Sequence, residues 1–166
     1  DPFAITPEYW NRYNANDIDL PEVPQIPFED LDPHSQRLHH VCALGDYEQT
    51  DERIRRARQA YYGMISYIDD KVGELVNALK ATNQLDNTII IFTADHGEML
   101  GERGLWYKMS FFENSAHVPL LVYAPERFQA NRIGDPVSLA DLLPTLADLA
   151  NGKETNDKET DYAAPV

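Results

Sequence analysis

From Asp51 to Ala81 the apolar residues Ile54, Ala57, Tyr61, Met64, Ile65, Ile68, Val72, Leu75, Val76 and Leu79 recur at three- and four-residue steps, the period of one face of an α-helix. A helix of that length runs about 45 Å, more than a domain of this size needs, and predicts a larger sheet to lie against. Asn83 to Asn87 is turn material. Thr88-Ile89-Ile90-Ile91-Phe92-Thr93 is a short, continuous, β-branched run, the composition of a strand buried on both faces in a parallel sheet. Val118 to Tyr123 reads the same way, with Pro119 confined to its start or to an edge. Ser138-Leu139-Ala140-Asp141 has the spacing of a helix N-cap followed by an acidic first turn. It precedes the apolar stretch Leu142 to Leu149, in which Pro144 should kink or delay the helix.

Outside this stretch the periodicity stops. Residues 1 to 50 carry Pro2, Pro7, Pro21, Pro24, Pro27 and Pro33, which deny the segment long helices and central strands. It is expected to be extended chain lying on a larger body, anchored by Phe3, Tyr9, Trp10, Tyr13 and Phe28, with Pro7-Glu8 able to start a short helix through Tyr13. Linkers are poor in aromatics, which argues against a disordered segment. Residues 151 to 166 are polar and aperiodic, a loop or a truncated end. The order helix, strand, loop, strand, helix over residues 51 to 150 gives an α/β class with a mainly parallel sheet flanked by helices. Two strands are fewer than such sheets normally hold, so the pattern predicts an internal piece of a larger domain.

Composition narrows the picture. The chain has 166 residues, 43% of them apolar, and no stretch long and apolar enough to cross a bilayer. A net charge of -14 repels nucleic acid and is compatible with small cationic or zwitterionic ligands. The single cysteine, Cys42, excludes an internal disulfide and suits a reducing, cytoplasmic setting. The chain opens at Asp1 rather than Met, so any targeting segment is expected to lie before it.

Ligands of open parallel sheets gather beyond the carboxyl ends of the strands, where Asp95 and His96 follow the first apolar run. Neighbouring side chains on a strand point to opposite faces, so both reach one ion only where the backbone has left the pleat. Gly97 makes such a turn easy. A carboxylate and an imidazole there suit a divalent cation; they equally suit a capping turn aspartate beside a surface histidine. In the loop Glu98 to Ser115, with Gly101 and Gly104, Lys108 could hold an anionic group or supply a proton, or be a solvated surface lysine. Trp106 and Tyr107 could face a quaternary ammonium or pack under the loop. His34 is a weaker candidate, and His39 and His40 are adjacent with no cysteine or carboxylate at metal spacing and read as surface or structural. His117 has no evident partner, and Cys42 reads as a small packed side chain.

Four stretches of this sequence resemble the sulfatases of the alkaline phosphatase superfamily. They are Tyr61-Tyr62-Gly63-Met64-Ile65-Ser66-Tyr67-Ile68-Asp69-Asp70-Lys71-Val72-Gly73, then Asp86 to Glu98 with its Thr93-Ala94-Asp95-His96-Gly97-Glu98 turn, then Val118-Pro119-Leu120, then Asp141-Leu142-Leu143-Pro144-Thr145. Two further stretches, Leu100 to Glu113 and Asp32-Pro33-His34-Ser35-Gln36-Arg37, resemble the choline-sulfatases among them. The resemblance covers nearly the whole chain and implies an alkaline-phosphatase-like fold, with residues 1–50 packing on the sulfatase domain and 51–150 its central part.

The resemblance implies a sulfuric ester hydrolase acting on a small-molecule sulfate ester, choline O-sulfate, with no nucleic-acid or membrane partner and a homo-oligomer as the full-length enzyme. Asp95 and His96 match two ligands of a single divalent cation, usually Ca2+, with Mn2+ an alternative because nitrogen is an unusual ligand for so hard an ion. Lys108 matches the lysine that contacts the sulfate and helps neutralise the leaving oxygen. The nucleophile of these enzymes is a formylglycine made from cysteine in a Cys-x-Pro-x-Arg motif. Cys42 stands before Ala43, Leu44 and Gly45 and is not that residue. The nucleophile and the paired aspartates that complete the metal site are expected upstream, and this stretch alone is expected to be inactive. An aryl sulfatase, a phosphonate or phosphate monoester hydrolase, and a non-catalytic binding module with a partial metal site remain the alternatives.

Overall fold

The computed structural model describes residues 3–151; apart from Asn151, the polar tail at 151–166 lies outside the described residues. The chain divides into two compact units, one ending at Gln129 and one beginning at Ala130. The first contains α1 (Pro7–Trp10), α2 (Pro33–Val41), α3 (Asp51–Ala81), β1 (Ile90–Thr93), α4 (Glu113–Ala116) and β2 (Leu120–Tyr123). The second contains α5 (Leu142–Ala150).

The long helix runs over the residues its periodicity gives. The Thr50 side chain accepts from the Arg53 amide, Asp51 and Glu52 occupy the first turn and Lys80 the last, so caps and charges agree with the helix dipole. Its buried face differs from the apolar stripe. Arg58 and Gln59 are buried beside Ile54, Ala60 and Gly63, whereas Ile65, Ile68 and Leu75 are exposed.

The reason lies in residues 3–19, which lie along α3 as far as Asp70 and supply polar partners there. Gln59 donates to the carbonyls of Trp10 (3.1 Å) and Tyr13 (2.7 Å). The Arg58 guanidinium pairs with Asp19, donates to the Leu100 carbonyl at 3.2 Å and lies 3.7 Å from Glu102. Glu102 in turn accepts the Glu22 and Val23 amides at 3.0 and 2.9 Å. A buried charge is tolerable only when paired and hydrogen-bonded in this way. The aromatic anchors also land on α3, with Phe3 against Tyr61, Tyr9 against Tyr67 and Tyr13 against Tyr62 at ring separations of 5.5, 5.4 and 5.7 Å. Phe28 instead meets His39 of α2 at 5.4 Å.

This proline-rich segment is not extended throughout, because α2 gives it a nine-residue helix. Asp32 caps it by accepting from the His34 and Ser35 amides, and Pro33 occupies the first turn, the one helical position where a missing N–H costs nothing. The short helix expected to reach Tyr13 ends at Trp10.

The strands fall inside the two apolar runs but pair antiparallel rather than parallel, in a register that sets Ile90 opposite Tyr123 and Thr93 opposite Leu120. A continuous apolar run speaks of burial and says nothing of direction. Here the loop from 94 to 119 folds back on itself and returns β2 beside β1. Pro119 stands just before β2, where no ladder bond is asked of it. The expected burial on both faces is not supplied by the described residues, since Leu120 to Tyr123 are all exposed. The buried cluster lies elsewhere. Leu38, Leu44, Met99 and Leu105 form it, with Cys42, Trp106, Tyr107 and Phe112 packed around it, directly beneath the loop that follows β1.

In the second unit the Ser138 hydroxyl accepts the Ala140 amide and opens a single 3-10 turn before α5. Pro144 is the third residue of α5, within the turn whose N–H groups have no helical partner, so it neither kinks nor delays the helix. No described helix is long and apolar enough to cross a membrane.

Candidate metal and anion site

β1 ends at Thr93, and two residues later the chain presents Asp95 and His96 at the strand's carboxyl end. Their side chains converge, with His96 Nε2 3.5 Å from Asp95 Oδ2. Asp95 Oδ1 also accepts the His96 amide at 3.0 Å, which holds the carboxylate over the turn. His96 Nδ1 lies 2.8 Å from the Gly97 carbonyl. A carbonyl can only accept, so Nδ1 is a donor there, and in the Nδ1–H tautomer Nε2 is the nitrogen left to bind a cation. This arrangement orients a metal-binding histidine from its far nitrogen.

The pair therefore fits a divalent cation. Two donors 3.5 Å apart and each about 2.3 Å from one ion would subtend roughly 100° at it, within the range of calcium-like coordination. Two ligands are not a complete shell, and no group of three or more potential ligands occurs among the described residues.

Gly97 has a role that the sequence does not show. A Cβ built on it would fall inside contact distance of the Asn114 carbonyl oxygen, 3.0 Å from the Asn114 carbonyl carbon and 3.4 Å from that of Ser115. The glycine is required by this close approach, not by a left-handed turn, since Gly97 is not among the residues with positive φ. Two main-chain bonds exploit the proximity, Gly97 N–H to the Ser115 carbonyl and Glu98 N–H to the Asn114 carbonyl, both 2.8 Å.

Ser115, 3% exposed, ties the main chain at Lys108 to the Asp95-His96 turn. Its carbonyl holds Gly97, and its hydroxyl donates to the main-chain carbonyl of Lys108. The Lys108 side chain is exposed, and no carboxylate pairs with it among the described residues. An unpaired ammonium on a backbone tied to the Asp95-His96 turn is free to take an anion.

The loop between these residues is strained. Leu100, Arg103 and Tyr107 have φ of 50°, 61° and 68°, and Gly101 and Gly104 are also left-handed. Non-glycine residues take such values only when their surroundings over-determine them. Here Met99 N–H bonds the Tyr107 carbonyl at 2.8 Å, and Glu98 Oε1 accepts the Tyr107 amide at 2.6 Å and the Leu100 amide at 3.4 Å. Burial first, and then the negative charge of Glu98, push the Tyr61 hydroxyl up.

Trp106 and Tyr107 pack against the buried cluster, and the Trp106 indole donates to Gln49 at 2.8 Å. They also line an open cavity of about 290 Å³ with Phe3, Tyr47 and Ile54. His34 Nε2 lies 2.7 Å from the Met109 carbonyl, a structural contact. His117 does have a partner, with Nδ1 3.1 Å from the Glu113 carboxylate one helical turn back. Cys42 is half-buried, and burial pushes its thiol up, the opposite of what a nucleophile needs.

The sequence pointed to Asp95, His96 and Lys108 as candidates and gave no role to Glu98, Asn114 and Ser115, whose side chains and carbonyls hold the turn and the loop. None of these three lies on a periodic face. The one available signal was that a turn after one strand and a turn before the next both carry short polar residues.

The sulfatase family model matches residues 2–152. The chain is 47% identical over 150 residues to the choline-sulfatase of Rhizobium meliloti (strain 1021), covering 90% of this chain and 29% of that protein. It is 36% identical over 155 residues to arylsulfatase K of Danio rerio, covering 92% and 29%. Among solved structures it resembles the phosphonate monoester hydrolase SpPMH from Silicibacter pomeroyi, with a TM-score of 0.80 and 30% identity over 90% of this chain and 31% of that one. The chain thus spans under a third of the length of these relatives.

Proposed function

The chain belongs to the sulfatase family, and from that membership we propose that it contributes part of the active site of a sulfuric ester hydrolase whose substrate is choline O-sulfate. The observation that carries the proposal is the Asp95-His96 pair, converged at the end of β1 with the histidine tautomer set by Gly97. The choice of ester is supported by the 47% identity to a choline-sulfatase.

In this reading Asp95 and His96 hold one divalent cation, calcium or manganese, which when bound stabilises negative charge on the ester and its nucleophile. Lys108 binds a sulfate oxygen and offsets the charge that develops on the leaving alcohol oxygen. The nucleophile, a formylglycine as the family uses, and the remaining metal ligands come from residues other than 1–166, since Cys42 lacks the motif. The full-length protein assembles as a homo-oligomer.

A second reading keeps the site and changes the ester. The likeness to an arylsulfatase and to a phosphonate monoester hydrolase supports an aryl sulfate or a phosphonate monoester. Relative kcat/KM of the full-length protein on choline O-sulfate, an aryl sulfate and a phosphonate monoester decides between them. Choline O-sulfate is expected to lead by at least tenfold; a lead by either other ester would replace it.

A further inference from the structure

We propose that Glu98 is a positioning residue that aims Lys108, by holding with one carboxylate the two strained amides on either side of the Gly101–Trp106 turn. The proposal rests on the reading of Lys108 as the group that meets the sulfate.

Two non-glycine residues bracket this turn in the left-handed region, Leu100 (φ 50°) and Tyr107 (φ 68°). The same two residues donate their amides to Glu98 Oε1, at 3.4 and 2.6 Å. A charged acceptor makes such bonds shorter and about twice as strong as a neutral one, which fits the 2.6 Å contact at Tyr107. Tyr107 immediately precedes Lys108, so its conformation sets the direction in which the chain leaves towards the lysine. Without the acceptor, Tyr107 can relax to negative φ, which rotates the Tyr107–Lys108 peptide and redirects the ammonium. Three other contacts fix the ends of this lever. Glu98 N–H is bonded to Asn114, the Met99 amide to the Tyr107 carbonyl, and the Lys108 carbonyl to the Ser115 hydroxyl. Glu98 sits three residues after Asp95 and so couples the metal turn to the lysine without contacting substrate.

The test is a double-mutant cycle in the full-length protein, with Glu98→Ala, Glu98→Gln, Lys108→Ala and the double variant Glu98→Ala/Lys108→Ala. Readouts are kcat/KM on the best of the three esters and hydrogen exchange at the Tyr107 amide. E98A is expected to lower kcat/KM about 10- to 100-fold, chiefly in kcat, and to speed exchange at Tyr107. E98Q keeps an acceptor oxygen and should recover to within about tenfold of the parent; it carries the comparison if E98A does not fold. In the K108A background E98A should cost less than about threefold, because the residue through which it acts is gone. A merely structural glutamate would give additive losses. Additivity, wild-type kcat/KM in E98A, or unchanged Tyr107 exchange would each overturn the proposal. K108A at the parent rate on all three esters would overturn the role of Lys108 itself. That failure is recognisable because Tyr107 exchange would still quicken in E98A.

Discussion

Replacing Gly97 by alanine should open the turn that presents Asp95 and His96. The new Cβ falls inside the contact distance of the Asn114 carbonyl oxygen and only 3.0 Å from its carbon. Both are main chain, so no rotamer change relieves the overlap, and the two segments must separate by roughly 1 Å. The two main-chain bonds that cross there, each 2.8 Å, contribute roughly 1 kcal/mol apiece. Forcing a packed turn apart adds about 1–3 kcal/mol. A local destabilisation of roughly 3–5 kcal/mol should therefore quicken hydrogen exchange at the Gly97 and Glu98 amides by about a hundredfold or more. Mass spectrometry on a peptide covering the turn measures it. Gly73→Ala is the control, because nothing lies within 4 Å of its Cβ position and it sits within α3, so alanine there should stabilise by about 0.5–1 kcal/mol. If G97A left exchange at these amides unchanged, the close-approach account of Gly97 would be wrong.

Other expectations are as direct. Lys108→Ala should lower kcat/KM of the full-length protein by about 10²- to 10³-fold, with circular dichroism showing an intact fold; retention of full activity would remove Lys108 from the site. Chelation should abolish activity and lower the melting temperature, with calcium or manganese restoring both in the parent and far more weakly in His96→Ala, whose remaining Asp95 is one ligand of the pair; equal restoration would exclude His96 as a ligand. Hydrogen bonds from Arg12 and then Tyr9 hold the Asp70 carboxyl below its usual value, and the Ser35 hydroxyl and amide do the same for Asp32. At Asp19 burial acts upward, but the Tyr62 hydroxyl and Arg58 outweigh it. Lowered folded-state values mean that the stability these groups contribute is complete above the ordinary carboxylate range and is lost as pH falls through it towards each depressed value. Asp70→Asn should therefore flatten the acid limb of a stability-against-pH curve; superimposable limbs for variant and parent would refute the Arg12–Asp70 contact.

How much of this could be read beforehand depends on whether the signal is local. The bounds of α3 followed from apolar spacing and capping residues that lie next to one another in sequence, and both strands fell inside their β-branched runs. α2 was equally legible, because an aspartate before a proline marks a helix start, but the weight of six prolines argued the other way. Asp95 and His96 could be placed at the carboxyl end of β1 because they directly follow its apolar run. Strand direction could not, because burial and direction leave the same apolar pattern.

The sequence by itself determined the family and the long helix, since each is carried by residue type at short spacing, and it put forward Asp95, His96 and Lys108 as candidates to meet metal and anion. Only the tertiary structure decided why Gly97 must be glycine, why Arg58 can be buried, and that Ser115 and Glu98 tie Lys108 to the Asp95-His96 turn. Those facts depend on approaches between residues up to dozens of positions apart, such as Gly97 with Asn114 and Arg58 with Asp19 and Leu100. The energies that settle them, steric overlap and the satisfaction of buried polar groups, exist only once the chain has folded.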